Sequence, residues 1–197
     1  MPNWCSTDIT INCDNNEKLA DFYVKIEEWT SHDYKENGFG HNWLGNIVGN
    51  SRIGTVDENK ETDLRCRGVL SYMDLMYESL VIHTETAWVP MLLMWRKLLD
   101  KYLPDAELIY SAEELGCEVL ATNDPCYIEK YYIDAWGIEN VESNDCATKE
   151  EVIKLLQELL DIKEESIDEL LKQLSLSEFN DRLYINKWEF SEVDNWD

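Results

Sequence analysis

The chain has 197 residues, 44% hydrophobic and 11% aromatic, with only four Pro and eight Gly. That is enough apolar material for one sizeable core, or a core and a small satellite, and too many aromatics for a disordered chain. Its 41 Asp and Glu against 17 Lys and Arg give a formal net charge of −24, which phosphate backbones and anionic membranes repel; with no basic patch, direct nucleic-acid and membrane binding are excluded and basic protein surfaces are favoured as partners.

Taken in chain order, Cys5, Thr7, Ile9, Ile11 and Cys13 alternate with Trp4, Ser6, Asp8, Thr10 and Asn12, the period of two of a half-buried strand. Asp14 and Glu17 have capping-box spacing, and Leu19, Phe22, Tyr23, Ile26 and Trp29 follow on one helical face. Residues 31 to 62 are rich in Gly, Asn and charge, and read as a long insertion with short, irregular structure. Gly38-Phe39-Gly40-His41 and Gly45-Asn46-Ile47-Val48-Gly49-Asn50 in it lack the Lys-Ser or Lys-Thr of a phosphate-binding loop.

Arg65 to Tyr72 and Ser79 to Ala87 read as strands joined by a turn around Asp74 to Glu78. Pro90 suits a first helical turn, and the helix runs to about Tyr102 and stops at Pro104. Its apolar residues cover more than one face, which predicts burial on two sides. Glu107 to Ala112 and Cys117 to Ala121 form a hairpin turning at Gly116, and Cys126 to Trp136 is a further strand.

The last third changes character. Thr148 with Glu151, and Ser166 with Glu169, mark two helix starts. Val152, Leu155, Leu156, Leu159 and Leu160 line the first helix, and Ile167, Leu170, Leu171 and Leu174 the second. Their opposite faces carry Glu150, Glu151, Glu158, Asp161, Glu164, Glu165, Asp168 and Glu169. Leu183 to Phe190 adds a strand, and the acidic end Glu192 to Asp197 is expected to fray.

The expected fold is α+β. Its order, strand, helix, strand, strand, helix, strand, is that of a ferredoxin-like split βαβ sheet with extra strands and an acidic C-terminal helical hairpin. Residues 1–136 form the α+β domain, with the insertion at about 31–62, and residues 137–197 the acidic helical extension.

Catalytic and metal chemistry finds little support in the residues. His32 and His41 lie in the long loop, and His83 lies on a strand face opposite Leu80 and Ile82, so no metal ligands converge. Cys5, Cys13, Cys66, Cys117, Cys126 and Cys146 contain no CxxC pair. The N-terminus lacks a signal-peptide pattern, which favours free thiols in a cytosolic protein. Asn140 to Glu151 is acidic but lacks the glycine of a calcium loop. No cofactor, metal or catalytic residue is therefore expected. Carboxylates on consecutive helical turns form a ladder of negative charge that can compete for a Lys/Arg groove, with affinity falling as salt rises.

The opening Met1-Pro2-Asn3-Trp4-Cys5 followed by a strand is one part of a resemblance to a known family. The other is Thr86-Ala87-Trp88-Val89-Pro90, a helix, Tyr102-Leu103-Pro104, then Tyr110 through Glu114 and Gly116-Cys117. Together they resemble the YubB-like proteins of bacteriophages, conjugative plasmids and related mobile elements, whose C-terminal part is described as ferredoxin-like. The resemblance covers the N-terminal strand and roughly residues 80 to 123, and leaves the acidic helices uncovered. It implies structural roles: Pro90 starting a helix, Trp88 packing beneath it, Gly116 making a turn. It also implies a mobile-element protein acting in the cytoplasm of a bacterial host, where such elements encode inhibitors of host defence.

Some of those inhibitors are acidic proteins that occupy the nucleic-acid channel of a CRISPR effector or a restriction enzyme. A Cas9-type effector offers basic channels and a PAM-reading arginine pair. The expectation is thus a non-catalytic, anti-CRISPR-type inhibitor whose helical carboxylates meet the basic surface of a Cas effector or restriction enzyme. The alternatives are a metal-dependent enzyme acting on nucleic acid or a nucleotide, and a structural or assembly protein of the element.

Overall fold

The computed structural model describes residues 3–56, 64 and 66–196. The chain divides into two compact units, Met1–Asn123 with Ser191–Asp197, and Asp124–Phe190. The class is mixed α+β. Met1 and Pro2, the predicted strand start at Arg65 and the last part of the predicted insertion, 57–62, lie outside the described residues.

The first unit opens with β1 (Trp4–Asn12), which buries Cys5, Thr7, Ile9 and Ile11 on one face. Helix α1 (Asn16–Thr30) follows and buries Leu19, Phe22, Ile26 and Trp29. Its cap is Asn15 rather than Asp14: the Asn15 Oδ1 accepts the Lys18 N–H at 3.0 Å. After α2 (Leu44–Ser51) come β2 (Gly68–Leu75), β3 (Ser79–Ala87), α3 (Leu92–Tyr102), β4 (Glu107–Glu114), a 3-10 turn over Leu115–Cys117, and β5 (Val119–Thr122).

Within this unit the strands run in the order β2-β3-β1-β4-β5, each neighbouring pair antiparallel. Register aligns Ile9 with Ile82 on one side and Tyr110 on the other. One face of the sheet is thereby apolar across three strands, and residues of α1, α2 and α3 share that core. Period-two alternation sends Asp8, Glu85, Glu107 and Glu113 to the opposite face, together with Trp4, Val81 and Ile109.

The long insertion is more ordered than its composition predicts. Glycine normally weakens a helix by about 1 kcal/mol, yet α2 contains Gly45 and Gly49. A Cβ at Gly45 would strike the Trp43 ring and one at Gly49 the Tyr34 ring, so the glycines let two aromatics lie against the helix. Asn46, fully buried, accepts from the Tyr34 N–H at 3.0 Å and donates to the His41 carbonyl at 2.9 Å. Asn50 donates to the Trp29 and His32 carbonyls.

Entry to α3 also departs from expectation. Pro90 precedes the helix, which starts at Leu92. Trp88 is 44% exposed with φ 68°, and the Arg67 guanidinium stands over its ring at 5.3 Å. The indole buried in the core here is that of Trp95, on α3 itself.

The end of the chain does not fray over its described residues. The Ser191 N–H donates to the Thr122 carbonyl at 2.9 Å, and Val193 is buried. The Trp196 Nε1–H donates to the Tyr110 hydroxyl at 2.6 Å, and that hydroxyl donates to the Ser191 carbonyl at 2.8 Å.

The second unit begins with a 3-10 turn at Pro125–Tyr127, then β6 (Tyr131–Ala135) and β7 (Asn144–Ala147). It continues through α4 (Lys149–Leu160), α5 (Ile167–Ser175), β8 (Leu183–Lys187) and β9 (Glu189–Phe190). A three-stranded sheet runs β7-β6-β8. Tyr131 and Ile133 of β6 share a core with Val152 and Leu156 of α4, Leu170 and Leu174 of α5, and Leu183 and Ile185 of β8. The predicted strand 183–190 is interrupted at Trp188, which is buried and whose Nε1–H donates to the Asp145 carbonyl at 2.6 Å.

Candidate functional site: two acidic surfaces

Of the eight carboxylates expected on helical faces, five lie on helices, Glu150, Glu151 and Glu158 on α4 and Asp168 and Glu169 on α5, whereas Asp161, Glu164 and Glu165 lie in the connection between them. Glu151 closes the capping box of α4: its carboxylate accepts the Thr148 N–H at 2.7 Å and the Thr148 hydroxyl at 2.9 Å, and the Thr148 hydroxyl accepts the Glu151 N–H. Glu164 accepts the N–H groups of Glu165 and Ser166 at 2.9 and 2.8 Å. Glu169 departs from its predicted box, for its carboxylate turns to Lys172 at 3.2 Å and Gln173 at 3.1 Å. Glu158 stands 3.9 Å from Lys154. Asp161 ends α4 in the left-handed region, φ 53°. Glu150, Glu165 and Asp168 are exposed.

The ladder is also interrupted. Successive helical residues turn by about 100°, so Lys154 lies on the same face as Glu150, Glu151 and Glu158. Lys172 stands likewise among the carboxylates of α5, Lys149 is the first residue of α4, and Lys163 follows its end. Eight carboxylates therefore share the segment with four ammonium groups.

The Glu151 carboxyl is held below its usual range, first by the Thr148 N–H and then by the Thr148 hydroxyl. A carboxyl depressed on folding adds stability that is fully present above its unfolded value, near 4.3, and is lost as pH falls through the folded value. Helix α4 is therefore expected to loosen below about pH 4. Thr148→Ala should cost about 1 kcal/mol at neutral pH and flatten that acid-side loss. Amide exchange of Glu151 and Val152, followed from pH 6 to pH 3, checks both.

The open face of the first unit's sheet carries a second acidic surface. Register and alternation bring Asp8, Asp74, Glu85, Glu107 and Glu113 to the face opposite the apolar core, with no Lys or Arg on the four strands at those alternating positions. Asp8 lies opposite His83, and their side chains meet at 2.8 Å. Prediction from helical faces passed over this surface, although the signal was the same alternation that marked the strands. What sequence spacing lacks is the register that lines up five carboxylates from four strands.

Chemistry at individual groups is muted. Burial pushes the Cys5 thiol up to about 11 and the Cys66 thiol up to about 12, which leaves both as inert neutral thiols at neutral pH. Hydrogen bonding with Asp124 raises the Cys126 thiol. All six cysteines are free. Among the described residues no three His, Cys, Asp or Glu side chains gather in a metal-holding group, and no helix is long and apolar enough to cross a membrane. A shallow open groove of about 360 Å³ in the second unit is lined by Ile128, Glu129, Lys187, Trp188, Glu189 and Phe190, with a Lys187–Glu129 ion pair of 2.6 Å on its wall.

No family model, curated protein or solved structure matches this chain.

Proposed function

We propose that this protein is a mobile-element inhibitor of a host nucleic-acid-handling defence system, of anti-CRISPR type. It binds the basic groove of a Cas effector and keeps nucleic acid out. The observation that carries the reading is charge: a net −24, displayed as exposed carboxylates on two secondary-structure frameworks. Carboxylates fixed on helices and strands oppose Lys/Arg-lined channels with little loss of side-chain freedom, and the attraction steers association. The YubB-like resemblance at Trp4-Cys5 and Thr86 to Pro90 supports the mobile-element origin and the bacterial cytoplasm as the place of action.

The same resemblance goes with a ferredoxin-like reading of the first unit and with an acidic hairpin formed by α4 and α5. In favour of the former is the order β2-β3-β1-β4, antiparallel throughout, with α1 and the additional α2 between β1 and β2 and with α3 between β3 and β4. In favour of the latter is the core shared by the two helices.

The test is DNA cleavage by a Cas9-type effector, with the protein titrated at 50 and 200 mM salt. Inhibition should saturate near equimolar protein and weaken at the higher salt. The triple variant Glu150→Lys, Glu165→Lys, Asp168→Lys reverses three exposed charges that make no capping bond, and should weaken inhibition by roughly tenfold, about 1.4 kcal/mol. Unchanged inhibition by the triple variant would remove the helices from the contact. Complete inhibition at substoichiometric protein would replace blocking by enzymatic attack.

A further inference from the structure

The hairpin formed by β2 and β3 has features that neither its fold nor its charge requires. Its tip is apolar: Leu75, Met76 and Tyr77 are 36%, 53% and 80% exposed, and Tyr72 on β2 is 54% exposed. Tight turns are normally built from Gly, Asn, Asp, Ser or Pro, and clustered exposed apolar side chains mark interaction surfaces. β2 is also the outermost strand on its side of the sheet. Among the described residues, its outer side is occupied at its first residues, by the Trp43–Val69 bridge and the Leu70 N–H bonded to the Asn42 carbonyl. A register shift between Leu70 and Tyr72 follows. From Tyr72 to Leu75 no strand of the described residues pairs on the outer side. Natural edges are usually shielded by charge, proline or a covering segment; between Tyr72 and Leu75 this one carries Asp74 as its one charge, beside the exposed Tyr72 and Leu75 and with Met73 partly buried against the core.

We infer that the outer edge of β2 accepts an extended, basic segment of a partner protein by strand addition, with the Leu75-Met76-Tyr77 tip as the apolar end of the contact. Main-chain hydrogen bonds to an edge supply affinity, and alternate side chains supply specificity. On the open face an added strand would run beside Tyr72 and Asp74, with Asp8 two strands further in; on the other face it would run beside Met73 and Leu75. The matching sequence alternates Lys or Arg with an apolar residue. Charge selects the occupant: residues 68–87 hold Asp74, Glu78 and Glu85 and no Lys or Arg, so a second copy of this −24 chain is repelled where a basic segment is drawn in. The inference rests on the proposed binding to a basic surface and adds to the helical carboxylates a second element of the contact.

The probe is a labelled peptide of four Lys-Val repeats, compared with one of four Lys-Pro repeats. Both carry the same charge, but proline lacks the N–H that an added strand must donate. The intact chain should bind the Lys-Val peptide at one to one, at least tenfold tighter than the Lys-Pro peptide, with amide exchange slowed at Tyr72 to Leu75. Met76→Ser with Tyr77→Ser, both at exposed positions, should weaken binding severalfold. Equal binding of the two peptides, no binding of either, or slowed exchange elsewhere but not on β2 would overturn strand addition. Self-association on sedimentation would overturn the basic occupant in favour of a second copy. No nuclease is present in this assay, so an inhibitor that fails here loses its proposed contact and not its proposed function. A chain that takes the peptide yet leaves the effector active loses the function alone.

Discussion

Trp95→Ala is expected to destabilise the first unit by about 3–5 kcal/mol, the range for removing a large aromatic from a closed core. Trp95 is fully buried on α3 beside Leu92, Leu98 and Leu99, so no solvent or mobile loop stands ready to fill the space. Its indole nitrogen makes the companion variant informative. The Nε1–H is buried and has no hydrogen-bond partner among the described residues, and a buried donor left unpaired costs about 1–3 kcal/mol. Trp95→Phe keeps one ring in place and removes that donor. The lost area and the relieved donor offset each other, and the net change should stay below about 1.5 kcal/mol. Urea unfolding of the two variants against the parent decides the matter. A Phe variant as damaged as the Ala variant would mean that the indole nitrogen is satisfied after all.

Stopping the chain after Phe190 should cost the first unit about 2–4 kcal/mol, through lost apolar burial and lost buried hydrogen bonds. The removed stretch holds Val193 in the core, the Ser191 N–H bonded to Thr122, and both partners of the Tyr110 hydroxyl described above. It also holds Asp194, 3.4 Å from the Arg96 Nε, an exposed pair that adds little. Tyr110 is itself 1% exposed, so truncation strips two bonds from a phenol that water cannot freely reach. Trp196→Phe removes only one donor and should cost about 1 kcal/mol. Thermal melts monitored by near-ultraviolet circular dichroism, which follows the packed aromatics, separate the two. A truncated chain that melts with the parent would show that the tail adds nothing to the core.

What the sequence revealed follows from how far each determinant reaches along the chain. β1 was legible because alternation is a property of neighbours, and α1 because Leu19, Phe22 and Ile26 recur at helical spacing. The Thr148–Glu151 box needs only residues three apart. By contrast, α2 reads as a loop because its stabilising partners lie outside it: the Tyr34 and Trp43 rings on its glycines, and the carbonyls that Asn46 and Asn50 reach. β7 is too polar for any periodicity, with Asn144 and Asp145 among its four residues. The tail reads as fraying from its acidity, since nothing near Trp196 in sequence discloses its bond to Tyr110.

The candidate surface divides in the same way. Charge on α4 and α5 is visible in the residues, but not that Glu151, Glu164 and Glu169 are already engaged by local donors. The sheet face required register between strands as far apart as Asp8 and Glu113. Trp88 shows the limit most plainly. Its position before Pro90 suggests a packing residue, yet a left-handed backbone there turns the indole to solvent beneath Arg67.

The bond between Ser191 and Thr122 has a consequence for assembly in the cell. The chain leaves the first unit just after Thr122 and re-enters it one hydrogen bond away, having made an entire second core in between. On the ribosome, β1 to β5 emerge first but lack the stretch that completes Tyr110, while everything from Asp124 to Phe190 emerges and can collapse in the meantime. The first unit thus lacks part of its own core until residue 196 has been made, although the rest of it precedes the second unit along the chain.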